Sequence, residues 1–518
     1  MVADCGREYG FWRHIAFYML LSLFIFIFSF TISFAVGNRE VPTGANVVGG
    51  TVMINSPVSG ELDITQTTDR AVINWDSFNI GRQATVEFLQ PNASSLAVNR
   101  VVGASIDPSH ILGDLISNGR VMILDHNGVL FDRQSTIDVA GLIVATGDVS
   151  TSLIMSGANV FDINDFGSGS IIARGDITVA DAGMVAFVSP YIVHSGVINA
   201  RLGSVGMAAA DVVTLDLYGD ELFEIAIDNK TADALIEHSG KIYADGGFVL
   251  ITAQAAKSTI DHIINMDGLI VASDYSSIGG KIVLRGGVGG TVSFTRAELD
   301  TSGTEIGTIE VSGENVVVGK NTDLISSGDV IIAVSNSFIN EAGSDFINTN
   351  SIGRWLIYSP HPDSNIYDGL NSSNTAVWNK NIGDSVLHTG NRYVFAYQPS
   401  ALFTYTDIVK TVGGASFTAY TIDGLHRGVS EAFLGDTFST AFSGVSNVVP
   451  STADVIMLSY PFDLLPSNLY SPSGYAIDYR TTGKVNLVPP SPIFTKYKRV
   501  GDAENLDIEI TNEDKEKE

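Results

Sequence analysis

Cysteine is nearly missing from this chain. Of 518 residues only Cys5 is one, so no internal disulfide can staple the fold. Basic residues are scarce too: 29 Lys and Arg stand against 57 Asp and Glu, a formal charge of −28. So acidic a chain repels phosphate backbones, which argues against nucleic acid as a partner and reads as solubility outside the cell. Long runs of Ala, Leu, Glu and Lys are absent, and no stretch carries the apolar period of a useful amphipathic helix. The nine histidines show no HxH or HExxH spacing, so no zinc site is expected, and no GxSxG frames a serine nucleophile. The glycines of residues 286–290 lack the Lys-Ser/Thr ending and following helix of a phosphate loop, and read as a bend. Neither a cofactor nor a metal is implied.

The chain is rich in glycine, with 52 residues, and in Val, Ile, Thr and Ser, which favour strands and tight turns. One segment breaks the pattern. Residues 15–36, IAFYMLLSLFIFIFSFTISFAV, are apolar apart from Ser and Thr, follow Arg13-His14, and end in Ser33-Phe34-Ala35. Basic flank, apolar core and small residues predict a signal peptide over 1–37, cut after Ala35 or Gly37. The run also reaches the ~20 residues that span a bilayer, so an uncleaved anchor is the alternative. Either way the rest is exported. An absence of disulfides then suits a polypeptide threaded unfolded through a second membrane.

Beyond the leader, β-like segments of four to seven residues alternate with Gly, Asn, Asp and Ser turns. A degenerate repeat emerges: GLIVA at 141–145, SIIA at 170–173, GVINA at 196–200, GKIYA at 240–244 and GLIVA at 268–272. Second glycine-led strands, GMVAF, GSVGM, GGFVL and GGKIVL, follow from 183, 203, 246 and 279. The starts at 170, 196, 240 and 268 are 26, 44 and 28 residues apart; with 44 taken as two units, each unit is 22–28 residues. A strand repeat of that length predicts a solenoid, a right-handed parallel β-helix over 46–350, with glycine at corners that need positive φ. Stacking at ~4.8 Å would give about a dozen coils and a rod of roughly 60 Å.

Near 350 the pattern changes. Residues 351–391 read as a linker, and 392–490, with longer aromatic strands such as RYVFAYQP and GKVNLVPP, as an Ig-like antiparallel β-sandwich. Residues 491–518 are mostly charged and read as a disordered tail.

The segment from AVINWDSFNIGRQATVEFLQPNASSLAVNRVVG to GRVMILDHNGVLFDRQSTIDVAGLIVAT resembles the secretion domain of two-partner secretion exoproteins. This is the family of filamentous haemagglutinins and related haemolysins and haem-acquisition proteins of Gram-negative bacteria. The landmarks are Ile73-Asn74-Trp75, Ser77-Phe78, Phe88 with Gln90-Pro91, Asn99-Arg100-Val101, Gly113, Asn118-Gly119, Asn127-Gly128 and Gly141-Leu142. They place the secretion domain at 46–160, with the β-helix continuing over 161–350. The C-terminal part is similar to sandwich repeats of the same family's adhesins, with Val412-Gly413 where such repeats carry Tyr-Gly, and in one copy only.

The resemblance implies a cleaved leader, secretion or surface display, and an outer-membrane β-barrel transporter with periplasmic recognition domains as partner. Asn74, Trp75, Asn99, Arg100, Asp125, Asn127 and Gly128 are the expected secretion signal. Asp125-His126-Asn127-Gly128 stands where the family has Asn-Pro-Asn-Gly, and Asn-Gly favours a turn with positive φ. His126 is thus a turn residue rather than half of a catalytic relay. The chain is expected to be a monomer and no enzyme. An adhesin meeting host-cell or bacterial surfaces is the leading expectation, a haem- or haemoprotein-binding or haemolysin-type exoprotein the alternative. A polysaccharide-cleaving β-helix enzyme using Asp216, Asp220, Glu221, Glu224 and Asp228 is third.

Overall fold

The computed structural model describes residues 36–396, apart from short stretches at 211, 218–222, 226–233, 255–261, 276, 288, 362–363, 373 and 375. It also describes two antiparallel strand pairs, Thr404–Val412 with Ala415–Asp423 and Ala476–Tyr479 with Val485–Val488. The leader to residue 35, the charged tail and the rest of the expected sandwich lie outside the described residues.

Three parallel ladders wind about one axis as a β-helix. The first face runs from Arg70–Trp75 through Leu96–Val101, Arg120–Leu124 and Gly141–Ala145, and onward coil by coil to Arg392–Phe395. The second stacks Ser109–Ile111, Gly128–Phe131, Ser170–Ala173, Tyr191–His194 and their successors. The third is a twelve-stranded sheet from Val52–Asn55 to Ile347–Thr349, parallel from its second strand onward. At the N-terminal end the stack is closed by antiparallel strands: Asn46–Gly49 lies on the first face and Val52–Asn55 on the third.

The alternation of the sequence explains the interior. In one coil Val129 and Phe131, Ile137 and Val139, then Leu142 and Val144 all point into a single continuous core. Thr136–Val139 is exposed and buried alternately, as a strand with one solvated face should be. Gly141–Ala145 and Met184–Val188 are instead buried throughout. A short helix, Thr151–Met155, and an antiparallel sheet of Val160–Ile163, Val213–Asp216 and Phe223–Ile225 cover the outside of the first face there, making a second apolar layer.

Several expectations change. The 44-residue spacing is one coil, not two: Ile198 pairs directly with Ile242, and between them Val213–Asp216 and Phe223–Ile225 join the outer sheet. The five repeat segments are not equivalent either. GVINA, GKIYA and the second GLIVA share the third face, but SIIA lies on the second and the first GLIVA on the first. Gly203 and Gly247 have no positive φ. A Cβ on Gly203 would lie 2.2 Å from the Gly183 carbonyl, and one on Gly247 2.2 Å from that of Gly203, so glycine is needed where stacked backbones nearly touch. Finally, the solenoid passes 350. Trp355–Ser359 pairs with Val330–Ala333, and Arg392–Phe395 with Leu356–Ser359, which puts the start of the expected linker and the first sandwich strand inside the coil stack.

Candidate functional site

The seven expected signal residues lie along one edge of the stack, where the first face turns toward the second. Register sets their directions. Asn99 stacks between Ile73 and Ile123, in the inward column, while Asn74 pairs with Arg100 and Arg100 with Leu124 in the outward one.

Inside, Trp75 and Asn99 form a unit. The indole Nε1 donates to Asn99 Oδ1 at 3.0 Å, and Asn99 Nδ2 donates to the carbonyls of Ala97 and Met122 at 3.3 Å each. Both side chains are essentially inaccessible, 1% for Trp75 and 0% for Asn99. Trp75 completes the packing edge-on to Phe78.

Outside, Arg100 is held from four directions. Its Nε donates to Asp148 Oδ1 at 2.7 Å, and its terminal nitrogens to Asn74 Oδ1 (3.3 Å), Thr151 Oγ1 (3.0 Å) and the Val149 carbonyl (2.6 Å). Arg70, at the other end of the neighbouring strand, donates to the carbonyls of Ile154, Gly157 and Ala158. Two arginines from the first two coils thus clamp both ends of the 149–158 segment, with Arg70 against the carbonyl end of its helix.

The third group is a turn. Gly128 N donates to the Asp125 carbonyl at 2.9 Å, and Asp125 Oδ1 accepts the Asn127 N–H at 2.9 Å, so carboxylate and backbone close the same loop. Asp125 Oδ2 accepts the Ser109 N–H at 3.0 Å and hydroxyl at 2.7 Å, and Asn127 Nδ2 donates to the Ser105 carbonyl at 2.9 Å. Burial, the largest influence, pushes the Asp125 carboxyl above its ordinary value against these hydrogen bonds. Gly128 has φ +106°, and a Cβ there would meet the Ser170 carbonyl oxygen at 2.5 Å. His126 is half-buried, its Nε2 3.9 Å from Asp165; the segment is a turn, as expected.

The structure therefore joins Trp75 with Asn99, Asn74 with Arg100, and Asp125 with Asn127 and Gly128. The side-chain hydrogen bonds of Arg100 do not go to the turn; Asp125 N bonds the Ala145 carbonyl one coil on. Sequence reasoning missed Asp148, Thr151 and Ser109. The first two sit about fifty residues from Arg100, too far for any local pattern to announce them. Of the acidic run, Asp216 and Glu224 lie in the outer antiparallel sheet, and Asp220, Glu221 and Asp228 fall outside the described residues. Among the described residues no three His, Cys, Asp or Glu side chains gather where they could hold a metal.

Comparison with known proteins decides what this edge belongs to. Residues 40–311, more than half of the chain, match the family model of the TPS secretion domain. The chain belongs to the two-partner secretion exoproteins. Proteins of this family leave the cell through an outer-membrane transporter. A heme/hemopexin-binding protein of Haemophilus influenzae is 29% identical over 254 residues, 48% of this chain and 27% of that protein. A second protein of the same name and species is 28% identical over 310 residues, 54% of this chain and 31% of its own. This exoprotein thus matches less than a third of the length of either relative. Among solved structures, the HMW1 secretion domain from Haemophilus influenzae superposes with a TM-score of 0.53 at 23% identity, covering 68% of this chain and 96% of that one. At that identity the likeness speaks for the β-helix fold alone.

Proposed function

We propose that the transporter reads residues 74–128 of this exoprotein as an unfolded segment, and that the folded solenoid then binds haem or a haem-carrying protein outside the cell. Burial carries the first half. Trp75, Asn99, Arg100 and Asp125 are all at most 9% exposed, so a partner can reach them only before the coils close. An extended segment can add to a partner's sheet edge through its backbone, with alternate side chains supplying specificity. After export, each coil would template the next, and burial at ~25 cal/mol per Å² of apolar surface would bias movement outward.

The second half rests on the names of the two curated relatives. Adhesion of the filamentous haemagglutinin type is the second reading, supported by long parallel faces that offer contact area along the whole stack.

The experiment is to express the full chain with and without its transporter and to assay medium, cell surface and periplasm. Asn127→Ala with Gly128→Val should strand the protein in the periplasm. Gly203→Val, which obstructs stacking far from the signal, should still be exported, though protease-sensitive. Equal stranding of both variants would mean that folding, not recognition, had failed. Secreted protein is then titrated with haem and with haem-loaded hemopexin; a Soret shift or retention supports capture, and cell binding without either supports adhesion.

A further inference from the structure

The middle of the solenoid buries two histidines that secretion does not explain. Tyr191–His194 and Leu235–His238 pair residue for residue on consecutive coils, with the outer-sheet strand Val213–Asp216 between them in sequence. His194 and His238 are 0% and 1% exposed. Their Nδ1 atoms lie 2.8 Å apart, with ring centres 4.9 Å apart and planes within 15°. Two imidazoles meeting edge to edge through one N–H···N bond need about 5 Å between centres, the bond plus a ring radius at each end. The rings therefore lie nearly in one plane, with a single hydrogen bond tying the two coils. Their inward neighbours along the column are Ala173 and Met266, and neither Nε2 finds a hydrogen-bond partner. Glycines make room for them: a Cβ at Gly240 would sit 2.9 Å from His194 Cε1, and one at Gly268 2.8 Å from His238 Nε2.

We propose that the His194–His238 pair is an acid-operated joint, holding the two coils together when neutral and releasing them when protonated. The proton count explains why. The neutral pair carries two protons, one shared between the Nδ1 atoms and one on a single Nε2. A first proton from solvent can add to the bare Nε2, which keeps the shared bond but places an imidazolium in an apolar core. A second must add to the accepting Nδ1, which destroys the bond and sets two cations side by side. Among the described side chains, the ionisable ones on the surrounding strands and turns are Arg174, Asp176, Tyr191, Glu237, Lys241, Tyr243 and Asp267. All lie in outward or corner positions, and none pairs with either ring. Burial holds His194 well below the ordinary imidazole range, with His238 adding to the effect, and burial brings His238 down to about 4 against the opposing backbone of Leu269.

The sign is then fixed. A neutral base in the fold and an ordinary one in the opened state give stability that is full above about 6.5 and lost as pH falls toward 4. From pH 7 to 5, His238 alone should raise the opening equilibrium about twentyfold.

Hydrogen exchange of the secreted full chain at pH 7 and 5, corrected for intrinsic rates, tests this. Protection in 191–194 and 235–238 should fall by at least that factor relative to Leu96–Val101, and His194→Leu with His238→Leu should abolish the difference. If that variant does not fold, imidazole nitrogen NMR of the unaltered protein decides. A coupling across Nδ1···Nδ1, with neither ring titrating between pH 8 and 5, supports the joint. Titration of both rings near 6.5, absence of the coupling, or equal protection at both pH values would overturn it.

Discussion

Replacing Asn99 by leucine tests whether the first coils depend on a directional bond or merely on filled space. Asn99→Leu fits an inward column whose neighbours are Ile73 and Ile123, so packing changes little. The Trp75 indole N–H, however, loses its acceptor, Asn99 Oδ1 at 3.0 Å, in a site 1% exposed. An orphaned buried donor costs about 1–3 kcal/mol and the lost amide bonds about 1 more, so the expected loss is roughly 2–4 kcal/mol. Trp75→Phe removes the donor from the other side, leaving a small void and an unpaired amide oxygen, at about 2–3 kcal/mol. With both changes no polar group is orphaned, and the double variant should be about 1–2 kcal/mol more stable than the sum of the singles. Denaturant titration of the secreted protein, followed by hydrogen exchange across residues 70–101, gives all four corners of the cycle. Additivity within about 0.5 kcal/mol would refute the view that the two residues act as one unit. The same variants also separate folding from export. A double variant that folds in vitro yet stays in the periplasm would show that the transporter reads the side chains themselves.

Three other substitutions have signs set by the geometry. Gly128→Ala forces a side chain onto φ +106° and against the Ser170 carbonyl, and should cost about 3 kcal/mol or more by thermal unfolding; under about 1 kcal/mol, the turn is not the fixed point argued here. Arg100→Met frees the carboxylate of Asp148, which is one-third exposed, and should cost about 1–3 kcal/mol. Limited proteolysis should then cut first within 148–159, and an unchanged cleavage pattern would count against the clamp. Asp125→Asn concerns pH. Because burial raises the Asp125 pKa, the folded state holds that proton more tightly than the unfolded, and its contribution is lost as pH rises from about 3.8 through the raised value. The asparagine variant lacks this loss, so its stability relative to the parent should improve between pH 3.5 and 7. A flat difference would show the carboxylate to be unstrained.

Strand alternation made the solenoid legible, since inward Val, Ile and Phe at every second position survive in the sequence regardless of coil length. Coil length itself was not legible. An outer-sheet strand such as Val213–Asp216, placed in sequence between Ile198 and Ile242, lengthens the sequence spacing without lengthening the stack, and counting residues cannot distinguish it from an added coil. The landmark Asn118-Gly119 was visible as a turn, but its reason was not. Asn118 bonds both backbone groups of Gln90, at 2.7 and 2.8 Å, and a Cβ on Gly119 would sit 2.4 Å from the Gln90 side-chain oxygen. The signal residues were found by resemblance; their partners Asp148, Thr151 and Ser109 were not, because those contacts exist only after coils have closed over one another.

Buried polarity is distributed along the stack in a way that register can explain. Among the described residues, the long amide and charged side chains in the buried set fall at 66–125 (Gln66, Gln90, Asn99, Arg100, Asp125) and again at Asn340 and Asn365. Between these groups the buried polar residues are Ser, Thr and the two histidines. A coil in the middle lies between two formed ladders, and a one-residue slip would turn its apolar set outward, so hydrophobicity alone fixes its alignment. Near either end fewer coils lie beyond a strand, so its alignment is less firmly set. Hydrogen bonds such as Trp75–Asn99, Gln66–Gln90 at 3.3 Å and Asn340 to the Tyr367 carbonyl at 2.7 Å supply the missing constraint, because they are satisfied in a single register. At the N-terminal end the residues that fix the first register are also those proposed as the transporter's signal. One short segment would thus be recognised while extended and then, once outside, set the alignment that every later coil inherits.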